Sequence, residues 1–109
     1  MIAREQFQAL GKRNAFVSNV GRGPIVDTDD LVAALNNGTI RGAAVDVTGP
    51  EPLPAGHPLW KARNVVITPH VGGSSTVYNE RVLKVLACNF KNIAEGKGLI
   101  NRIDRSLGY

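Results

Sequence analysis

AFVSNVGRGPIVDTDDLVAALNNGTIRGAAVDV, residues 15 to 47, is the stretch on which the fold turns. Ala15 to Val20 form a short apolar run closed by Gly21-Arg22-Gly23-Pro24, whose glycines and proline forbid continuation as a helix, so the run reads as a strand. Asp27 then stands where a helix N-cap belongs, with Asp30 in the first turn. Leu31, Ala34 and Leu35 make one apolar stripe, and Asn36-Asn37-Gly38 supplies the stop. Gly42 to Val47 is a second run of small apolar residues, the composition of a buried strand packed closely under a helix. Strand, helix, strand is a parallel crossover unit.

Working outward, residues 4 to 12 (REQFQALGK) set Phe7 and Leu10 three apart among polar residues, the spacing of a short amphipathic helix. Downstream, a proline-rich loop from Gly49 to Pro58 leads to Val65 to Thr68 (VVIT), a third strand cut off by Pro69. The hydroxyls of Ser74, Ser75 and Thr76 are candidate caps for a long helix. It carries Val82, Val85, Leu86, Phe90 and Ile93 on one face as packing residues and ends at Gly96. Residues 97–109 read as a short C-terminal arm that docks on the body. The order of elements reads as α/β, a parallel sheet followed by a long C-terminal helix.

A chain of 109 residues, 43% hydrophobic and 20% charged, has the apolar content of one folded unit. The net charge of +4 is spread from Arg4 to Arg105 without a dense block, which argues against a nucleic-acid partner. The single cysteine, Cys88, cannot form an internal disulfide and reads as a small buried side chain beside the apolar helix face. No apolar run approaches the length of a membrane span. These features predict a protein of a reducing, cytoplasmic setting with no membrane partner.

Parallel strands deliver their carboxyl ends to one sheet edge, where open α/β sheets bind ligands. Arg22 follows the first strand, Asp46 ends the second with Glu51 five residues on, and His70 follows the third, so all four are expected in one crevice. Arg22 lies between two glycines that permit close approach of a ligand. Glu51 lies between Pro50 and Pro52, which press its backbone toward an extended conformation. An arginine, a carboxylate and a histidine in one crevice suit reduction of a 2-oxo acid or oxidation of a 2-hydroxy acid. Arg22 would grip the substrate carboxylate through paired charge-assisted hydrogen bonds, His70 would exchange a proton with the reacting oxygen, and Glu51 would orient the imidazole. The hydride requires a nicotinamide, because no side chain carries one. Competing readings are a structural Arg22–Glu51 ion pair and Asp46 as a buried cap for neighbouring backbone. His57, in a Gly-Pro loop, reads as structural, and no metal set is expected.

Asn19 to Gly23 with Ile25-Val26-Asp27, Gly42 to Val47, Glu51-Pro52-Leu53-Pro54, His57-Pro58-Leu59-Trp60, Asn64 to His70 and Gly72-Gly73-Ser74 together resemble the D-isomer-specific 2-hydroxyacid dehydrogenase family, in the carboxyl-terminal part of its NAD-binding domain. The resemblance implies a partial Rossmann fold, the C-terminal half of a doubly wound parallel sheet, and it implies that Arg22, Glu51 and His70 are catalytic. It further implies that Val20, Gly21, Arg22, Asp46, His70, Gly72 and Gly73 contact NAD or NADP, with Asp46 near the nicotinamide carboxamide. A homodimeric parent enzyme acting on a small 2-oxo or 2-hydroxy acid is implied as well. Gly98 to Asn101 with Asp104-Arg105 and Gly108-Tyr109 is similar to the glyoxylate and hydroxypyruvate reductase branch. The family's G-x-G-x-x-G phosphate loop is not among these residues, and Gly21-Arg22-Gly23 does not replace it. Residues 1–109 are therefore expected to be a fragment of a longer dehydrogenase, inactive alone and prone to associate through an uncovered strand edge. The alternative is a non-catalytic half-domain that acts through protein contacts.

Overall fold

The computed structural model describes residues 1–107 and divides the chain into two units, 1–73 and 74–109. A single compact unit was expected from length. The division follows from where the apolar side chains are buried: every residue of the core and of the partly buried shell around it belongs to the first unit.

That first unit runs α1 (Arg4–Gly11), β1 (Phe16–Asn19), a 3-10 turn (Gly23–Ile25), α2 (Thr28–Asn36), β2 (Gly42–Val45), a second 3-10 turn (Pro58–Lys61) and β3 (Val65–Ile67). The strands form one parallel sheet in the order β1-β2-β3, with Val17 opposite Ala43 and Ala43 opposite Val65. Because side chains alternate along a strand, Val17, Ala43 and Val45 share the face that meets Leu31, Ala34 and Leu35 of α2 and Phe7 of α1. The opposite face carries Phe16, Ala44 and Val66, all exposed, with the Arg41 guanidinium 5.2 Å from the Phe16 ring centroid. The second strand was expected to be buried and packed closely under a helix. Ala44 departs from that because the two helices of this unit pack on one side of the sheet only.

The α2 boundaries match the sequence signals. The Asp27 carboxylate accepts the Asp30 amide at 2.9 Å, and Gly38 takes the left-handed φ of 75° just past the helix end. Ile2 was not read as structured, yet it forms a parallel bridge with Val26, and the Arg4 amide donates to the Asp30 carboxylate.

The second unit is α3 (Tyr78–Ala94) and its tail. The expected hydroxyl cap is absent: Val77 occupies the N-cap without a side-chain bond, and the Ser75 carbonyl takes the Tyr78 amide instead. Gly96 ends the helix at φ 65°. No residue of α3 is buried, so the stripe read as packing stands exposed at Phe90 and Ile93, and Cys88 is half-buried. The tail folds back on α3, where Asn89 accepts the Ile100 amide and Asn92 donates to the Gly98 carbonyl. Gly108 and Tyr109, part of the branch resemblance, lie outside the described residues.

Candidate functional site

The parallel ladder places the carboxyl ends of β2 and β3 side by side and continues past them, from the Thr68 amide to the Val45 carbonyl and from the His70 amide to the Asp46 carbonyl. Asp46 is buried at the end of β2, and its carboxylate collects three donors. Oδ1 accepts the Thr68 hydroxyl at 2.5 Å and the Val71 amide at 2.9 Å, and Oδ2 accepts the Gly72 amide at 2.7 Å. Those bonds, the Thr68 hydroxyl foremost, hold the Asp46 carboxyl below the usual carboxylate range.

His70 follows with φ 56°, in the left-handed region. Its Nδ1 lies 2.6 Å from Glu51 Oε1, and both side chains remain substantially open to solvent. Glu51 comes from the proline-rich loop. The Thr48 hydroxyl fastens that loop to the Pro50 carbonyl, and the Thr28 hydroxyl fastens it to the Gly49 carbonyl. The peptide bonds leading into Pro50 and Pro52 are cis. A carboxylate accepting Nδ1–H selects the imidazole tautomer whose Nε2 is free to take a proton.

A cavity of about 440 Å³ opens here, lined by Asp46, Glu51 and His70 together with Leu53, Trp60 and Ile67. Three of the four residues expected in one crevice therefore meet. Arg22 does not line this cavity. It sits after β1 with an extended backbone, and its guanidinium donates to the Gly21 carbonyl at 2.7 Å. Among the described residues no ion pair joins Arg22 to Glu51. Val20 is exposed beside it, and Gly73 has open space where a Cβ would stand. Gly72 is different, since a Cβ there would lie 2.9 Å from Asp46 Oδ2. The capping role weighed for Asp46 is thus present in full.

Sequence reasoning passed over two side chains that shape this edge. Asn19, buried at the end of β1, accepts the Gly21 amide and donates to the Arg22 carbonyl, so it staples the Gly-Arg-Gly turn. Thr68 clamps Asp46. Both are polar residues at strand ends, where an unpaired buried group is costly, and that position was the available signal. His57 accepts the Leu59 amide on Nδ1, a structural task. Among the described residues no group of three His, Cys, Asp or Glu side chains is placed to hold a metal ion, and no helix is long and apolar enough to cross a membrane.

Residues 1–72 match the family described as D-isomer specific 2-hydroxyacid dehydrogenase, NAD binding domain. The chain is 42% identical over 105 residues to a glyoxylate reductase of Thermofilum pendens, covering 94% of this chain and 31% of that protein. It is 44% identical over 93 residues to a glyoxylate/hydroxypyruvate reductase B of Yersinia pestis, covering 85% and 27%. A crystal structure of a D-isomer specific 2-hydroxyacid dehydrogenase from Xanthobacter autotrophicus Py2, in complex with NADPH and MES, superposes with a TM-score of 0.81. It is 38% identical, over 97% of this chain and 43% of that one. The chain spans about a third of the length of the curated relatives it matches.

Proposed function

We propose, from the premise that this chain belongs to the D-isomer specific 2-hydroxyacid dehydrogenase family, that residues 1–109 are the carboxyl-terminal portion of the NAD-binding domain of an oxidoreductase. That enzyme interconverts a small 2-oxo acid and its D-2-hydroxy acid with NAD or NADP. The observation that carries the reading is the 2.6 Å contact between His70 Nδ1 and Glu51 Oε1 at the mouth of a cavity on the carboxyl edge of a parallel sheet. Glu51 holds Nδ1, so Nε2 exchanges the proton with the substrate oxygen. Arg22, exposed on the same edge, turns from the Gly21 carbonyl to grip the substrate carboxylate, two charge-assisted bonds replacing one neutral acceptor.

The residues present fit the nicotinamide end of the cofactor. Val20, Gly21 and Arg22 follow β1, while His70, Gly72 and Gly73 follow β3. Asp46 Oδ2 carries a single donor, leaving it able to accept a carboxamide N–H. The nicotinamide supplies the hydride. No G-x-G-x-x-G loop occurs in this sequence to bind pyrophosphate, so the chain alone binds weakly and turns over no substrate. The parent enzyme is a cytoplasmic homodimer with neither nucleic-acid nor membrane partners, and residues 97–109 are its arm.

Titrating the labelled chain with reduced nicotinamide mononucleotide tests the reading by nuclear magnetic resonance. Amide shifts confined to Gly21, Arg22, His70, Gly72 and Gly73 are expected. Saturating ligand that perturbs none of them overturns it.

A further inference from the structure

We propose that the Asp46 carboxylate, gripped by the Thr68 hydroxyl, is the positioning group that holds His70 against Glu51. The inference deepens the reading above and rests on it only for the task His70 performs. His70 adopts a left-handed backbone that a side chain bearing a Cβ rarely takes. Something must hold it there, and Asp46 does so from both sides. Before the turn, the His70 amide donates to the Asp46 carbonyl. After it, the Val71 and Gly72 amides both converge on the Asp46 carboxylate. A chain that donates on either side of one residue to the same aspartate must reverse at that residue.

The carboxylate is itself fixed. Thr68, two residues upstream of His70, bonds Oδ1 at 2.5 Å, so the side chain cannot rotate without losing an ionic hydrogen bond. Gly72 completes the arrangement, since any Cβ there would press on Oδ2. The Glu51 half of the pair is anchored independently, through Thr48 and Thr28. Asp46 thus governs where the imidazole sits and leaves the carboxylate that faces it unmoved. Glu51 and Asp46 are the charged groups set against His70.

The full chain carrying Asp46→Asn, Thr68→Val or Thr68→Ser tests this by magnetic resonance and amide exchange, without cofactor, substrate or turnover. Failure here is therefore distinct from failure to bind nicotinamide. In Asp46→Asn the amides of Val71 and Gly72 are expected to exchange about tenfold faster or more. The His70 imidazole signals should move toward those of free histidine. His57, bonded to the Leu59 amide, is the internal control and should not move, and the Ala43 amide, bonded to the Asn64 carbonyl, should keep its protection. Thr68→Val should show the same pattern more weakly, and Thr68→Ser, which keeps the hydroxyl, should behave as the parent chain does. His70 signals that stay in place while Val71 and Gly72 loosen would overturn the proposal. So would loss of Ala43 protection in both Asp46→Asn and Thr68→Val, because Asp46 would then support the sheet as a whole. If Asp46→Asn alone does not fold, Thr68→Val decides.

Discussion

Replacing Gly23 by alanine is the sharpest probe of how the two halves of this sheet edge are joined. A Cβ at position 23 would stand 1.9 Å from the Thr48 carbonyl oxygen, 2.3 Å from its carbon and 2.8 Å from the Gly49 nitrogen. An ordinary carbon–oxygen contact is about 3.3 Å, so the two backbones must part by about 1.4 Å. Neither yields easily. The Val26 amide holds the Gly23 carbonyl, and the Thr48 and Thr28 hydroxyls hold the loop opposite. Overpacking against backbone costs about 3 kcal/mol, the upper end of the usual range. Alanine recovers about 1 kcal/mol by restricting the unfolded chain, which leaves a net loss of about 2 kcal/mol. For a unit of this size that lowers the melting temperature by roughly 8–16 °C. Urea unfolding followed by Trp60 fluorescence reads the loss. Gly56→Ala is the matched control: nothing lies within 4 Å of its added Cβ and its φ is not positive, so it should stabilise by about 0.4–1 kcal/mol. Equal stability of the two variants would refute the close approach of residues 23 and 48.

Leu59 is fully buried in the core, so Leu59→Ala should cost about 3 kcal/mol in the same assay, and Leu59→Met less than about 1.5 kcal/mol. A Leu59→Ala loss under about 1 kcal/mol would place the 3-10 turn outside the packed core. Acid stability should report Asp46. Its folded carboxyl titrates below the ordinary value of about 3.9, so its contribution is complete above that pH and is lost as pH falls through the folded value. The urea midpoint should drop below about pH 4 more steeply in the parent than in Asp46→Asn, and parallel curves would show that the three hydrogen bonds do not favour the charged form.

Much of this was legible in residue order. Strand–helix–strand punctuation at Gly21-Arg22-Gly23-Pro24, Asp27 and Gly38 is local chemistry, because a cap, a stop and a restricted φ act within a few residues. The α2 boundaries accordingly fell where expected. The parallel order followed from the crossover, and with it the carboxyl edge that unites Asp46, Glu51 and His70. Less was legible at the start of α3, where three hydroxyls competed for one cap and a backbone carbonyl took the amide.

What the sequence by itself determined is the set of reactive groups and the sheet edge to which they are sent, since both depend on alternation, spacing and turn residues. What only the tertiary structure decided is which groups touch. Glu51 reaches His70 from 19 residues away, Thr68 and Val71 close on Asp46 across 22 and 25, and Arg22, delivered to the same edge, bonds its own neighbour instead. Spacing along a chain sets direction and reach. A hydrogen bond also requires an angle and a separation within a few tenths of an ångström, and those are set by how Thr28, Thr48 and Asp46 tie three loops together after the core has packed.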